Sequence, residues 1–340
     1  MTDKNIAVIG AGSWGTAIAL HLSKKFKETS LWVYENELCE IIQKERENKW
    51  FLSGFIIPQN VAPESSLELA VKNKSVVVIA VPTPVLRNIV SKIKPHIKPD
   101  TLIINASKGI ENDTLVPCHE IIKDTLQMPF KLATISGPTF AKEVAAQVPS
   151  AILAASKSTK TTKLVQQIFS SQSLKVFTSE DIMGVEIGGA LKNVIAIATG
   201  ICDGLGLGFN TRAALITRGL VEIARIGTEL GAKPETFNGL SGLGDLVLTC
   251  TGDLSRNRQL GIQLGQGKSL QNITKKMRTV AEGVSTVKSA HKLIHKLKIQ
   301  ASIMEETFNV LHQNKPPEEA LSDLMNVKIS NEFSGIKGLA

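Results

Sequence analysis

Short apolar runs alternate with helix-like patterns through the first part of the chain. Within the runs consecutive residues are apolar, as in strands buried on both faces, while the intervening segments repeat apolar positions every three or four residues. The irregular segment 48–63 leaves room for one more strand. The predicted strands are Ile6–Ile9, Ser30–Val33, Val76–Ala80, Leu102–Asn105 and Ala133–Ser136, with a helix at Thr16–Lys24. This alternation predicts an α/β domain built on a parallel sheet with crossover helices.

The pattern changes near Asp181, where strand signals fade and long helical stretches begin. The predicted helices are 184–203, 211–231, 256–266, 282–297 and 302–313. We therefore divide the chain into an α/β domain, residues 1–180, and an all-helical domain, residues 181–340. The last dozen residues, rich in glycine and polar side chains, are expected to fray.

Composition agrees with this division and narrows the class of partner. A chain of 340 residues exceeds what one hydrophobic core usually serves. The net charge of +8 is spread along the chain and aromatic residues make up only 4%, so we expect anionic small molecules as partners and no nucleic acid.

No uncharged stretch is long enough to span a membrane, and the start of the chain, with Asp3 and Lys4, lacks the pattern of a secretion signal. We expect a cytoplasmic protein without stable membrane insertion. A homodimer remains open, because the sequence specifies no oligomeric state.

Cysteine and histidine residues show no metal-binding pattern. The four cysteines are far apart in the sequence and have no neighbouring histidine cluster, so free thiols are expected. His291 and His295 share one helix face without the H-E-x-x-H pattern, which places them on a solvated face. We therefore expect no metal, and an acid/base group other than histidine.

A glycine-rich turn follows the first predicted strand and opens a helix, with the sequence Gly10-Ala11-Gly12-Ser13-Trp14-Gly15. In this context the first glycine turns the chain, the second admits a pyrophosphate, and the third lets helix and strand pack closely. Glu35 ends the second strand at the distance expected for a residue that holds the adenosine ribose. The N-terminal domain is thus predicted to be a Rossmann-type doubly wound sheet that binds NAD or NADP. Glu35 favours NAD, but the choice stays open.

Two later strands run into polar, glycine-containing loops. One loop contains Lys108 and Gly109, and the other contains Gly137 and Thr139. Because ligands bind beyond the carboxyl ends of strands in open α/β sheets, we expect both loops at the edge that carries the glycine turn. Either loop taken alone is equally compatible with a plain connection.

Lys192 is nearly the only cation in a segment, 184–198, that is too apolar for a surface helix. On a helical wheel it points away from Glu186, so an ion pair within the helix does not explain it. A buried ammonium is costly unless it is paired or has a lowered pKa, and a lysine with a lowered pKa exchanges protons near neutral pH. Lys192 is therefore the predicted acid/base group. Two alternatives stay open: a lysine that reaches solvent, or one paired with a carboxylate from another segment.

The segment from Gly239 to Arg258 combines tight glycines with a predicted helix start. Ser255 or Asp253 can cap that helix, which leaves backbone N–H groups, a hydroxyl and the forked side chain of Arg256 at one point. This combination predicts a phosphate site. A capped surface helix with solvated arginines is the alternative.

Taken together, these segments closely resemble bacterial NAD(P)-dependent glycerol-3-phosphate dehydrogenase, over nearly the whole chain. The motifs that carry the resemblance are Gly10-Ala11-Gly12-Ser13-Trp14-Gly15-Thr16-Ala17, Lys108-Gly109, Gly137-Pro138-Thr139-Phe140-Ala141, Gly189-Ala190-Leu191-Lys192-Asn193-Val194, Gly242-Leu243-Gly244-Asp245 and Ser255-Arg256-Asn257. The resemblance implies a Rossmann domain, a helical domain and a substrate cleft between them.

The resemblance also implies roles for individual residues. Lys192 would be the acid/base at the C2 oxygen, with Lys108 and Asp245 as polar neighbours. The residues implied to bind substrate are Lys108, Gly137, Thr139, Lys192, Asp245, Ser255, Arg256 and Asn257. Those implied to contact the cofactor are Gly10, Gly12, Ser13, Trp14, Gly15, Tyr34, Lys108, Ala141, Arg256, Val280 and Glu282. Tyr34 stands where the family often has His or Arg, which weakens any inference of NADP preference.

The implied reaction is reversible hydride transfer between the nicotinamide and C2 of dihydroxyacetone phosphate, which supplies glycerol 3-phosphate for glycerophospholipid synthesis. Two other functions remain open. A related dehydrogenase could act on a 3-hydroxy acid or sugar acid, whose carboxylate Arg256 would hold. A dinucleotide-sensing protein without turnover would not need a lone lysine in an apolar helix.

Overall fold

The computed structural model describes residues 5–275, 281–328 and 331–338. The chain divides into two units, each with its own core. The first unit comprises Met1–Ser107 and Cys118–Ile182, and the second comprises Lys108–Pro117 and Met183–Ala340.

The first unit alternates strands and helices, as its sequence predicts. Its strands are β1 (Ile6–Ile9), β2 (Thr29–Trp32), β3 (Glu47–Asn48), β4 (Leu52–Ile56), β5 (Val61–Glu64), β6 (Val76–Ile79), β7 (Leu102–Asn105), β8 (Lys131–Ser136), β9 (Ser150–Ala155) and β10 (Leu174–Ser179). Its helices are α1 (Ser13–Leu22), α2 (Asn36–Glu45), α3 (Leu67–Val71), α4 (Thr83–Ile93), α5 (Cys118–Leu126), α6 (Ala141–Ala145) and α7 (Thr159–Phe169).

Eight of the described strands form one sheet in the order β10-β9-β8-β7-β6-β1-β2-β5. The six strands from β8 to β5 pair in parallel, and their order is that of a doubly wound dinucleotide-binding sheet. The strand order reverses between β1 and β6, so the loop after β1 lies at the topological switch point where such sheets bind ligands. The predicted Rossmann-type fold is confirmed.

The far edge of the sheet departs from the prediction. Strands β9 and β10, which the sequence analysis did not predict, extend the sheet beyond β8, and β9 pairs with β8 in antiparallel orientation. Strand β9 is rich in alanine, which has low strand propensity, and β10 alternates buried and exposed residues at the edge. Neither therefore shows the continuous branched run that marks β1 or β6.

The second unit is helical. Its helices are α8 (Ile182–Gly204), α9 (Phe209–Glu229), α10 (Asp245–Thr251), α11 (Arg256–Gly265), α12 (Leu270–Lys275), α13 (Glu282–Leu297), α14 (Ser302–His312) and α15 (Pro317–Met325). A 3₁₀ turn at Pro234–Asn238 and a π turn at Leu240–Gly244 lead into α10. The predicted all-helical character of this part is confirmed.

Helix α8 forms the centre of the second unit's core. Its length and apolar composition would suffice to cross a membrane, but 94% of its most apolar window is buried inside the protein. Such burial is typical of the central helix of a globular domain.

Helices α8 and α11 pack with their backbones in close approach. A Cβ atom added to Gly200 or Gly204 of α8 would lie 2.2–2.3 Å from a carbonyl oxygen of α11. In the same way, a Cβ atom on Gly261 or Gly265 of α11 would collide with a carbonyl oxygen of α8. Only glycine fits at these four positions, so this packing holds the start of α11 at a defined place along α8.

Two predictions need correction, one about the domain boundary and one about the end of the chain. The segment Lys108–Pro117 belongs to the second unit, because Ser289 of α13 donates hydrogen bonds to Ile110 O and Asn112 Oδ1. The predicted fraying is wrong for residues 331–338. There Ile336 is buried, and the Arg225 Nε atom donates to the Ser334 carbonyl oxygen.

Candidate active site

The glycine turn after β1 has the geometry that its sequence predicts. Gly10 adopts φ +110°, a conformation that favours glycine, and an added Cβ would lie 2.6 Å from Ala80 O. A Cβ on Gly15 would lie 1.8 Å from Gly10 O, so this residue must be glycine for α1 to pack against the turn. Gly12 faces open space instead, with no atom within 4 Å of an added Cβ. The open position lies where a phosphate would approach the backbone.

Helix α1 begins at this turn without a side-chain cap. Its first N–H groups are therefore available to an anion, and the helix dipole favours negative charge there. The Ser13 hydroxyl donates to Phe51 O, while the partly buried Trp14 has an indole N–H without a described hydrogen-bond partner. Both residues lie on the first turn of α1, which begins three residues before the predicted helix start at Thr16.

The other predicted cofactor residues of the first unit lie at the ends of their elements. Tyr34 follows β2 with 75% of its surface exposed, and Glu35 occupies the N-cap position of α2. Ala141 is the first residue of α6. Tyr34 and Glu35 thus follow the strand that neighbours the glycine turn, where an adenosine ribose would lie.

The loop after β8 contains Gly137 and Thr139. Gly137 has φ +149°, and an added Cβ would lie 3.0 Å from the Ile152 Cα atom of the neighbouring strand. The Thr139 hydroxyl donates to Gly137 O and closes the turn. Just before it, the buried Ser136 hydroxyl has no hydrogen-bond partner among the described residues.

A cluster of charged residues surrounds Lys192 in the second unit. The Asp245 carboxylate, 1% exposed, bridges two ammonium groups: Oδ1 accepts a hydrogen bond from Lys192, and Oδ2 lies 2.6 Å from the Lys108 Nζ atom. Lys192 also donates to the Thr249 hydroxyl at 2.8 Å. Of the two alternatives left open for Lys192, the structure shows pairing with a carboxylate from another segment.

The local fold explains how this cluster forms. Gly188, one turn before Lys192 on α8, would place an added Cβ 2.8 Å from Ser241 O, so α8 closely approaches the π turn before α10. One turn further along both helices, Lys192 meets Asp245 at the start of α10. Thr249 follows one turn later on the same face of α10.

Burial governs the electrostatics of the cluster. Desolvation lowers the pKa of Lys192 to about 8; Asp245 opposes the shift, and the charge of Lys108 adds to it. Burial raises the pKa of the Glu282 carboxyl at the start of α13, while the charges of Arg256, Lys108 and Lys192 oppose that rise. Lys192 is therefore an ammonium that can release its proton near neutral pH.

The predicted helix start at residue 256 is confirmed as that of α11. Ser255 is its N-cap and accepts a hydrogen bond from Arg258 N. The side chain of Arg256 is exposed to solvent. Asn257 is buried, donates from Nδ2 to Asn193 Oδ1 at 2.9 Å, and accepts from Gly283 N at 3.1 Å. Asn257 thus ties the start of α11 to α8 and α13.

Comparison with known proteins identifies the family. The model of the NAD-dependent glycerol-3-phosphate dehydrogenase N-terminus matches residues 5–162, and that of its C-terminus matches residues 181–322. This chain belongs to the NAD-dependent glycerol-3-phosphate dehydrogenase family. It is similar to glycerol-3-phosphate dehydrogenase [NAD(P)+] of Syntrophotalea carbinolica, with 49% identity over 97% of this chain and 99% of the relative. The relative from Geobacter sulfurreducens is 46% identical over the same shares.

A solved structure of the glycerol-3-phosphate dehydrogenase family agrees with both units. The enzyme from Coxiella burnetii is 37% identical and superimposes with a TM-score of 0.92, over 95% of this chain and 99% of that one.

The structure brings together only some of the site residues that the sequence predicts for this member of the dehydrogenase family. The structure brings Lys108, Lys192 and Asp245 together, with Glu282 close enough to influence Lys192. Val280 lies outside the described residues. The roles of all these residues in binding and catalysis stay predictions.

Two residues of the site were missed by the sequence analysis. Thr249 follows Asp245 by four positions, a spacing that would have revealed it had the short helix α10 been predicted. Asn193 pairs with Asn257 across 64 positions of sequence, and no local pattern indicates that contact.

Proposed function

We propose that this chain catalyses the reversible, NAD(P)-dependent reduction of dihydroxyacetone phosphate to sn-glycerol 3-phosphate. One observation carries the proposal within this family: a buried ammonium, Lys192, is held by Asp245 beside a second cation, Lys108. A buried ammonium held in this way is costly to maintain and suits a proton-transfer role.

Lys192 acts as the general acid in reduction. When bound, a reduced nicotinamide would supply the hydride that C2 of the ketone takes up, which would leave the carbonyl electron pair on the oxygen. Lys192 donates a proton to this oxygen, and Lys108 stabilises its negative charge. Because the pKa of Lys192 is about 8, the side chain is mostly protonated at pH 7. In oxidation the neutral Lys192 accepts the hydroxyl proton.

The glycine turn of the first unit supports the cofactor assignment. Its shape leaves Gly12 open to a pyrophosphate and directs the uncapped N–H groups of α1 toward it. We assign the adenosine ribose to Glu35, whose carboxylate would repel the 2′-phosphate of NADP. This favours NAD, with Tyr34 offering no positive charge to reverse the preference.

We assign the substrate phosphate to the start of α11. The exposed guanidinium of Arg256 and the first N–H groups of a helix of 10 residues favour an anion there. Asn257 already uses Nδ2 and Oδ1 within the protein, so its part is mainly to hold the helix start in place.

The product is the backbone of glycerophospholipids, and we place the reaction at the start of their synthesis. We further propose that the enzyme works in the cytoplasm and that two chains form a homodimer. Light scattering coupled to gel filtration tests the oligomeric state.

Steady-state kinetics with NADH and NADPH tests the activity and the cofactor together. We expect oxidation of NADH with dihydroxyacetone phosphate, and little with 3-oxo acids. Turnover of 3-oxo acids but not of dihydroxyacetone phosphate would instead favour a 3-hydroxy acid dehydrogenase. Tight cofactor binding without turnover of any ketone would favour the sensing protein.

Lys192→Ala tests the acid/base assignment. We expect kcat to fall by roughly 10²–10⁴-fold, the usual contribution of a positioned acid, while NADH binding measured by fluorescence is kept. Replacing the exposed Lys175 of β10 by alanine is the control, which should keep full activity. A nearly normal kcat in Lys192→Ala would show that another group transfers the proton.

A further inference from the structure

A second group of side chains with metal-binding chemistry lies in the second unit, apart from the lysine cluster. It consists of His291 and His295 on α13 and Glu305 on α14. The His291 Nδ1 atom lies 3.1 Å from Glu305 Oε2, and the His295 Nε2 atom lies 3.3 Å from Glu305 Oε1. The three potential ligand atoms lie within 4.8 Å of one another.

The two histidine–glutamate separations are close to those between ligand atoms around one metal ion. Bonds of about 2.0–2.2 Å in a tetrahedral zinc site place neighbouring ligand atoms roughly 3.3–3.6 Å apart. The two histidine–glutamate separations, each to a different oxygen of Glu305, are close to this range. Rotation of the exposed His295 ring would bring the three ligand atoms, now within 4.8 Å of one another, around one ion. Two imidazoles and one carboxylate form a donor set that leaves a position for water.

The surroundings hold the ligands in orientation. His291 was expected on a solvated face, but its ring is partly buried and stacks on Phe308, with centroids 3.7 Å apart and planes 5° from parallel. The four-residue spacing places the two histidine rings on one face of α13, with centroids 4.4 Å apart. The stacking fixes the orientation of the His291 ring, as the contacts around metal ligands commonly do.

We propose that His291, His295 and Glu305 form a binding site for Zn²⁺ or a similar divalent transition-metal ion. The ion joins α13 to α14 and so stabilises the second unit. Imidazole nitrogen selects such ions over Mg²⁺ and Ca²⁺, which prefer oxygen ligands. The alternative is a plain histidine–glutamate ion pair, which needs no metal.

Calorimetric titration of ZnCl₂ into the metal-stripped, tag-free chain tests the proposal. We expect one ion per chain with micromolar affinity, and no binding of Mg²⁺. At about a hundredfold excess over Kd, Zn²⁺ should raise the unfolding temperature by about 5 °C. Absence of Zn²⁺ binding would overturn the proposal.

Variants locate the bound ion. His295 has a side chain that is 62% exposed, so His295→Ala removes a ligand without disturbing the core. We expect His295→Ala and Glu305→Gln to weaken Zn²⁺ binding at least tenfold while keeping dehydrogenase activity. The control is His96→Ala, which removes a partly exposed histidine near Glu68 in the first unit.

Two results would contradict this location of the ion. One is unchanged affinity in His295→Ala. The other is a thiolate charge-transfer band on Co²⁺ substitution, because it would place the ion at a cysteine.

Discussion

Replacing Asp245 by asparagine should move the pH at which the enzyme loses reductive activity. The substitution keeps the shape of the side chain and removes the negative charge between two ammonium groups. In the structure the Asp245 carboxylate accepts a hydrogen bond from Lys192 through Oδ1, and its Oδ2 atom lies 2.6 Å from the Lys108 Nζ atom. Without it, Lys192 keeps its burial and its repulsion from Lys108, and both lower its pKa.

The size of the effect follows from these contacts. An opposite charge in direct contact typically shifts a pKa by about 1–3 units, so Asp245→Asn should lower the pKa of Lys192 from about 8 to about 6. At pH 7 the side chain is mostly an ammonium in the wild type and would be mostly neutral in the variant. Because the proposed mechanism requires the ammonium for reduction, kcat/KM should fall about tenfold at pH 7 and recover as the pH is lowered toward 5.5.

The assay is the pH dependence of kcat/KM for dihydroxyacetone phosphate, which reports the free enzyme. In the wild type, reductive kcat/KM should fall as pH rises through about 8, and oxidative kcat/KM should rise over the same range. Thr249→Val is the matched control, because it removes an uncharged hydrogen-bond partner of Lys192 and should leave the inflection near 8. An unchanged inflection in folded Asp245→Asn would refute the reasoning.

Three further substitutions test other parts of the structure. Arg256→Ala should raise KM for dihydroxyacetone phosphate by roughly 10- to 100-fold with little change in kcat, and should leave the kinetics with unphosphorylated dihydroxyacetone unchanged. Gly261→Ala, whose new Cβ would lie 2.2 Å from Ile197 O, should lower the free energy of unfolding, measured in urea, by about 1–3 kcal/mol or more. Gly208→Ala, with open space around the new Cβ, should lower it less. Glu222→Gln should flatten the pH dependence of stability. Burial raises the pKa of Glu222 to about 7, so wild-type stability should fall by up to about 3 kcal/mol between pH 4.5 and pH 7.

The sequence predicts the fold where local pattern and final environment agree. Strands β1 and β7 begin and end at the predicted residues because they are buried on both faces and are therefore apolar throughout. Helix α13 also matches its predicted bounds, since its apolar positions recur at helical spacing. Strand β9 was missed because it is rich in alanine, which has low strand propensity, and β10 was missed because, at the edge of the sheet, it alternates buried and exposed residues instead of being continuously apolar.

The candidate site is predictable only in part, for the same reason. The isolated charge of Lys192 in an apolar helix indicates a buried ammonium that needs a partner or a lowered pKa. The identity of its partner, Asp245, depends on a contact across 53 residues that no local pattern records. Likewise, Lys108 joins the second unit because its segment is held to α13 by Ser289, a contact invisible to a boundary drawn from periodicity.

Helix α8 contacts both the turn that leads to Asp245 and the helix α11 that begins with Arg256. Its segment around Gly188 approaches the turn before α10 and sets the contact of Lys192 with Asp245. Two turns beyond Lys192, Gly200 begins the close packing that positions α11 and with it Arg256. Because a single helix carries both contacts, the separation between the proposed proton donor and the proposed phosphate site is set by backbone packing. A substitution that separates α8 from α11 should therefore alter KM for the phosphorylated substrate even though it touches neither Lys192 nor Arg256.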